Sequence, residues 1–231
     1  MGHYYNPSIV TDNIIFNLDA GNIRSFSGSG NTAFDLLTGG IGGTLNNGVV
    51  FGTADGGSFN FDGTNDYIQV PVNYIPTGNE ATFCIWNYGT TAQASSVFSA
   101  HTADEFRTIN IHLPWNDSVV YWDAGFSGGT YDRVNTATLT NAQWQGWHHW
   151  TFTKSATTGI MQIYLDGVLN VSGTTKTRTM ATPSQSFIGR FQISSPQYHI
   201  GRVGQFTIYN RFLSATEISK NFSATKKRYG L

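Results

Sequence analysis

The sequence predicts an all-β fold: two antiparallel sheets packed face to face as a sandwich, with one short helix near the C-terminal end. Three observations carry this expectation. The first is composition, with 26 glycines, 14% aromatic residues and 12% charged residues in 231 positions. That balance suits many short strands joined by glycine-rich turns and leaves little for long helices. The second is the stretch from Trp147 to Gly173, WHHWTFTKSATTGIMQIYLDGVLNVSG, which reads as three strands in a row. The third is the recurrence of short apolar runs between turn signals along most of the chain, with no repeat of the solenoid or propeller kind.

Taken in order, the elements justify that class. In Asn13 to Ala20, Ile14, Phe16 and Leu18 share one face at a period of two. Asn22 to Asn31 is a loop of serine and glycine. Leu45-Asn46-Asn47-Gly48-Val49 carries an Asn-Gly hairpin signal. Ser58 to Val70 predicts a second hairpin, with Phe59 and Phe61 pointing one way, a turn at Asp62-Gly63-Thr64-Asn65-Asp66 and a return from Tyr67. Ala81 to Tyr88 is a strongly apolar strand. Arg107 to Leu113 alternates, Ile109, Ile111 and Leu113 against Thr108, Asn110 and His112, and Val119 to Ala124 is its expected partner across Pro114 to Ser118. Gly125 to Asn135 reads as an irregular glycine-rich loop.

The three-strand stretch follows. Trp147 to Lys154 is aromatic and β-branched, which fits a pleated, half-buried surface. Ile160 to Leu165 is apolar on both faces, as an internal strand requires, and Asp166-Gly167 is a type I′ turn signal into Val168 to Val171. Such a meander must bury its aromatic face on a second sheet. Ser186 to Arg190 and Val203 to Asn210 are the last strands. Ser214-Ala215-Thr216-Glu217 is a capping box, and Leu213 with Ile218 completes a hydrophobic staple. Ile218 and Phe222 share a face of that helix, which is expected to pack on an end or side of the sandwich. Greek-key closure of these strands makes a jelly roll. Residues 1–12 are read as an N-terminal arm and residues 13–231 as one domain. The arm, with His3, Tyr4, Tyr5 and Pro7, has no partner strand of its own and is ordered only where something such as a neighbouring subunit ties it down.

The formal charge of −1 gives no electrostatic case for nucleic acid or an acidic membrane. Lys226-Lys227-Arg228 reads as a solvated basic tail. Cys84 is the only cysteine, so no intramolecular disulfide forms, and its apolar surroundings predict a buried, inert thiol. The start MGHYYNPSIV has neither a basic leader nor an apolar core region, which predicts synthesis in a cytoplasm without a signal peptide. No apolar run approaches a membrane span.

Four stretches, NIIFNLDAGN, GGSFNFDGTNDYIQVP, WHHWTFTK with IYLDGVL, and GRVGQFTIYNRFLSATEI, resemble a LamG-like jelly roll of the concanavalin A-like lectin/glucanase superfamily in the family's order. RTINIHLPWNDSVVYWDAG and the ending KNFSATKKRYGL resemble versions of this domain in virion proteins of marine tailed bacteriophages. The resemblance implies a concanavalin A-like fold and a non-enzymatic structural protein of the virion surface, a capsid decoration or appendage subunit. Its partners would be other virion proteins in a homo-oligomer or lattice. The alternative it implies is a carbohydrate-binding adhesion module for host or environmental glycans. Some members hold calcium near the N-terminal and last strands. Many carry an acidic residue in the last strand where this chain has Gln205, so no cofactor is expected and a structural calcium has no clear motif.

Glucanases of the superfamily need two carboxylates across the scissile bond, ~5–9 Å apart. Here no E-x-D-x-E run exists; the only glutamates are Glu80, Glu105 and Glu217, and Glu217 already serves as a cap. Asp104 and Glu105 are adjacent and would face opposite ways on a strand. Gly125-Phe126-Ser127-Gly128-Gly129 matches G-x-S-x-G, but no helix follows to make a nucleophile elbow. The rings of His148 and His149 diverge as strand neighbours. The oxygens of Asp62 to Asp66 favour a tight turn over a metal site.

Sugar recognition is better served. Aromatic faces stack on the C–H faces of sugar rings, and Asp, Asn, Arg and His take the hydroxyls. Arg107, His112, Trp115, Asp117, Tyr121, Asp123, Tyr131 and Arg133 concentrate both kinds of group within one region. His112 is expected to look outward, and Trp115 and Asp117 to sit at a loop tip, where binding residues gather. The bland readings are that Trp122 is core, that Trp115 covers a sheet end, and that Arg133 pairs with Asp123 or Asp132. Trp144, Trp147 and Trp150 are assigned to packing.

Overall fold

The computed structural model describes residues 8–231; the first part of the expected arm, residues 1–7, lies outside the described residues. In chain order the early strands are β1 (Ile14–Asp19), β2 (Thr32–Phe34), β3 (Ile41–Asn46), β4 (Val50–Gly52), β5 (Ser58–Asp62) and β6 (Tyr67–Gln69). The middle of the chain forms β7 (Glu80–Gly89), β8 (Phe98–His101), β9 (Arg107–His112), β10 (Tyr121–Ser127), β11 (Thr130–Asn135) and β12 (Gly146–Ser155). Then come β13 (Ile160–Leu165), β14 (Val168–Gly173), β15 (Gln185–Ile188), β16 (Arg190–Phe191), β17 (Gln197–Tyr198), β18 (Ile200–Tyr209) and helix α1 (Ala215–Thr225).

These strands form two eight-stranded antiparallel sheets and a small ribbon of β16 with β17. The first sheet runs β14-β13-β12-β7-β18-β5-β4, with β1 also paired to β18, and the second runs β11-β10-β9-β8-β15-β6-β3-β2. The predicted meander is β12, β13 and β14, and Asp166 and Gly167 take φ of 51° and 79°, as the Asp-Gly turn demands. The aromatic face of that meander does bury on the other sheet. Phe83 and Phe152 of the first sheet meet Trp122 of the second at ring-centroid distances of 5.5 and 5.8 Å, and Phe83 lies 5.4 Å from Phe98. Trp122 is therefore core, and its indole N–H is satisfied by the Thr153 carbonyl across the sandwich. Trp144, Trp147 and Trp150 are also buried. At one edge Lys154 of β12, without solvent exposure, donates to Asp132 of β11 at 2.8 Å and joins the sheets by charge.

Three expectations are corrected. The Asn47-Gly48 turn does not close a hairpin, because β3 pairs with β2 and β6 while β4 pairs with β5. The turn at Asp62 to Asp66 likewise links β5 of the first sheet to β6 of the second. Both signals mark a reversal of the chain, but a short turn can hand it from sheet to sheet as readily as along one sheet. Gly125 to Asn135 is not an irregular loop: it is the end of β10, a two-glycine turn at Gly128 and Gly129 with φ of 58° and 79°, and strand β11. The abundant glycine there serves a bulge and a tight hairpin.

Helix α1 carries both halves of its capping box. It packs on the outer face of the first sheet, where Leu213 and Ile218 bury with Cys84, Tyr164 and Tyr209. Burial raises the Cys84 thiol to about 11, so it is inert at neutral pH. The described end of the arm joins this layer: Val10 donates its N–H to Asn221 and accepts from the Tyr209 hydroxyl. The basic tail is not simply solvated. Arg228 pairs with Asp19 at 2.7 Å, and Tyr229 stacks on Trp86.

Candidate functional site

Alternation along β9, β10 and β11 builds the site. Ile109, Ile111, Trp122, Ala124 and Val134 enter the core, which sends Asn110, His112, Tyr121, Asp123 and Arg133 to the outer face of the second sheet. Antiparallel register then sets His112 opposite Tyr121, Asn110 opposite Asp123, and Asp123 opposite Arg133. Arg107 has the parity of Ile109, so strict alternation would point it inward. A register slip in the β8–β9 ladder beside His101 turns it out instead. A second slip at Gly125, with φ of 80°, brings Phe126 opposite Tyr131 on the same outer face. A Cβ at Gly125 would sit 2.3 Å from the Arg178 carbonyl, so only glycine fits this bulge.

The outcome is a cavity of about 280 Å³ lined by Arg107, His112, Trp115, Asp117, Tyr121, Tyr131 and Arg133. Asp123 is its floor rather than its lining. Its side chain has no exposure; it accepts from Arg107 at 2.8 Å and from Arg133 at 2.7 Å, so it positions both guanidinium groups and is not itself offered to a ligand. Of the two partners proposed for Arg133, the structure selects Asp123, while Asp132 is taken by Lys154 and Arg178. The guanidinium groups also lie over rings, Arg107 4.7 Å from the Tyr131 centroid and Arg133 4.7 Å from that of Tyr121.

His112 points outward but is covered, with 3% exposure, by Trp115 at a centroid distance of 4.4 Å. The histidine thus looks outward, as expected, but beneath the indole. The partners of His112 define its state: the Ser95 carbonyl, 2.6 Å from Nδ1, can only accept, and the Asn110 amide nitrogen, 2.6 Å from Nε2, can only donate. The ring is neutral, and burial lowers its pKa to about 4. Trp115 and Asp117 do sit on a loop between strands, closed by Trp115 N–H to Val119 O and Ser118 N–H to Trp115 O, both at 2.9 Å. Asp117 accepts from the Tyr121 hydroxyl at 2.7 Å.

One support of the site escaped sequence reasoning. The β16–β17 ribbon folds over this face and sets Phe191 5.2 Å from His112 and 5.0 Å from Arg107. No periodicity in FQISSPQY announces a two-residue strand. Ser96, which donates to Asn110 at 2.6 Å, gave no signal either.

The acidic side chains of the site all have partners. The two carboxylates of the site are spoken for, Asp123 by two arginines and Asp117 by Tyr121 and the Val119 N–H. The glutamates have structural work elsewhere: Glu80 holds Ser155 and Phe212, Glu105 holds Ser194, and Glu217 caps α1 and pairs with Arg211. Ser127 of the G-x-S-x-G match lies at a hairpin turn. His148 pairs with Asp166, while His149 is buried.

The residues where calcium would be sought do not fit it. Asp19 is engaged by Arg228, and the Gln205 amide donates to Asn17 at 3.1 Å, so a cation would meet a guanidinium and N–H donors. Asp62 to Asp66 is a turn closed on itself, Asp62 accepting from Thr64 N–H and Asp66 from Asp62 N–H. Among the described residues no three His, Cys, Asp or Glu side chains converge as metal ligands.

The fold is shared with known proteins. Residues 62–219 match the family model described as the concanavalin A-like lectin/glucanases superfamily. Similar solved structures include the binding domain of Paraclostridial mosquitocidal protein 1, 16% identical with a TM-score of 0.66 over 91% of this chain and 52% of that one. A structure of botulinum neurotoxin type C, described as dependent for cell entry on two ganglioside molecules, is 13% identical with a TM-score of 0.69 over 93% and 51%. Domain 4 of AbnA, an extracellular arabinanase from Geobacillus stearothermophilus, solved with arabinotriose, is 17% identical with a TM-score of 0.67 over 90% and 97%. The chain spans about half the length of the toxin structures it matches. Comparison with curated proteins returns no match. At these identities the likeness is one of fold.

Proposed function

This chain belongs to the concanavalin A-like lectin/glucanases superfamily, and on that premise we propose that it is a non-enzymatic carbohydrate-binding module, acting through the pocket on the outer face of its second sheet. The observation that carries the reading is the pocket's composition. Tyr121, Tyr131 and Trp115 stand around two guanidinium groups that Asp123 locks in place. Rings suit the C–H faces of a sugar, and fixed donors suit its hydroxyls. At about 280 Å³ the cavity is just below the ~300–1,000 Å³ typical of ligand pockets, a fit for one sugar residue held at a time. The neighbours described with arabinotriose and gangliosides are in keeping with it. No catalytic residue, cofactor or nucleic acid enters the proposal, and among the described residues no helix is long and apolar enough to cross a membrane. Well-folded protein applied to a glycan array is expected to bind a defined subset of glycans; a blank array defeats the reading.

We propose, second, that the module is displayed on a virion surface as a decoration or appendage subunit, held by other virion proteins in an oligomer or lattice. What favours this is a coincidence of position: RTINIHLPWNDSVVYWDAG, the stretch that resembles marine tailed-phage virion proteins, is the one that forms β9, the Trp115 loop and most of β10. Residues 13–231 would be the displayed domain and residues 1–12 its arm. Mass spectrometry of purified particles tests this; absence of the protein from them overturns it.

A further inference from the structure

We propose that the site is longer than its pocket: Phe106 and Phe126 form a second sugar platform, so the module binds an extended glycan of at least two residues. This rests on the carbohydrate reading of the pocket. Phe106 is 46% exposed, and its ring stacks on that of Phe126 at 5.1 Å with 22° between planes. Phe126 is the direct cross-strand partner of Tyr131, which lines the pocket, so the two side chains are neighbours on one face of the sheet. Phe106 precedes Arg107, whose guanidinium covers the Tyr131 ring. Phe126 and the Phe106 ring stacked on it therefore lie beside Tyr131 on the outer face of the sheet, next to the pocket.

The platform is held rigidly. Thr102 and Phe106 exchange hydrogen bonds, Thr102 N–H to Phe106 O at 2.9 Å and Phe106 N–H to Thr102 Oγ1 at 3.2 Å. Glu105 ties the same loop to the β16–β17 connection through Ser194. Glu105 also takes a φ of 61°, a left-handed conformation unusual for a glutamate. A loop kept in that conformation by contacts on both sides presents an aromatic ring to water instead of folding it inward, and a ring fixed before binding loses little entropy on contact. The glycan would sit its first residue in the pocket beside the two arginines, and its next over Phe106.

The test titrates soluble saccharides of one, two and three residues, from arabinan, β-glucan and galactan series, against wild-type protein, Phe106→Ala and Phe106→Tyr. In any series that binds, the wild type is expected to gain affinity with the second residue. Phe106→Ala is expected to lose about 3- to 10-fold on the trisaccharide, the scale of one aromatic contact, with the monosaccharide unchanged, and Phe106→Tyr to keep the gain. Affinity independent of length, or an unchanged trisaccharide affinity in Phe106→Ala, overturns the second platform while leaving the pocket intact. Binding of no saccharide by the wild type overturns the pocket reading and the platform together.

Discussion

Arg133 holds Asp123 through two parallel hydrogen bonds, Nε to Oδ1 at 2.5 Å and Nη2 to Oδ2 at 2.7 Å, on a carboxylate with no solvent exposure. The fork fixes the guanidinium plane as well as its position. Arg107 joins the same carboxylate from the other side, so one negative charge orders two positive ones. Asp123→Asn keeps the shape and removes the charge, leaving two cations without their counter-ion. It is expected to cost about 2–4 kcal/mol in urea unfolding at pH 7, the scale of a broken buried pair, and to abolish glycan binding. A cost below about 0.5 kcal/mol, the noise of a surface substitution, would show that water replaces the carboxylate and that Asp123 does not order the site.

Trp115 separates binding from folding. It stands on a loop closed by its own backbone hydrogen bonds and is only half-buried against His112. Trp115→Ala is expected to weaken glycan binding by more than about tenfold, as loss of an aromatic anchor does, while the folded near-ultraviolet spectrum persists. Tyr131→Ala is expected to behave alike. Retained affinity in both variants would place the sugar elsewhere.

Much of the framework was legible from pattern alone, and the failures have identifiable physical causes. The capping box at Ser214 and Glu217, the Asp166-Gly167 turn and the inward row Ile109 and Ile111 depend on neighbours a few residues apart, and these were readable. Which sheet a strand joins depends on partners far along the chain, so Asn47-Gly48 promised a hairpin where the chain changes sheets. At the pocket, the aromatic and arginine residues stood out by type. That Asp123 is a floor, that His112 is capped, and that Phe191 backs His112 and Arg107 depend on the ribbon and on two register slips that no local period records.

Acid should unfold this protein through its buried histidines. His101, His112, His149 and His199 are each no more than 3% exposed, and burial lowers the pKa of each from 6.5 to about 4. The unfolded chain therefore takes up protons that the folded one refuses. Stability is full above about pH 6.5 and falls as pH drops toward 4, by about 1.4 kcal/mol per pH unit for each histidine. Urea unfolding at stepped pH is expected to show a slope approaching four protons near pH 5. His101, whose two ring nitrogens have no partner among the described residues, is the cleanest probe: His101→Leu should remove one proton from the slope. Constant stability from pH 7 to 5 would contradict this.

The C-terminal tail is a structural clamp, and Tyr229 is the residue to test. Its ring stacks on Trp86 at 4.1 Å with 20° between planes and meets Trp147 at 4.6 Å. Gly204 of β18 makes room for it, since a Cβ there would lie 2.4 Å from the tyrosine hydroxyl. Tyr229→Ala removes a buried aromatic from a close-fitted site and is expected to cost about 3 kcal/mol. The hydroxyl itself is buried without a partner among the described residues, so Tyr229→Phe should cost nothing or stabilise slightly. Lys227→Ala, at an exposed neighbouring position, should change stability by less than about 0.5 kcal/mol. The ordering Ala far below Phe in urea midpoint separates a clamp from a basic tail that merely rests on the surface: if the tail only rested there, Tyr229→Ala and Lys227→Ala would unfold together with the wild type.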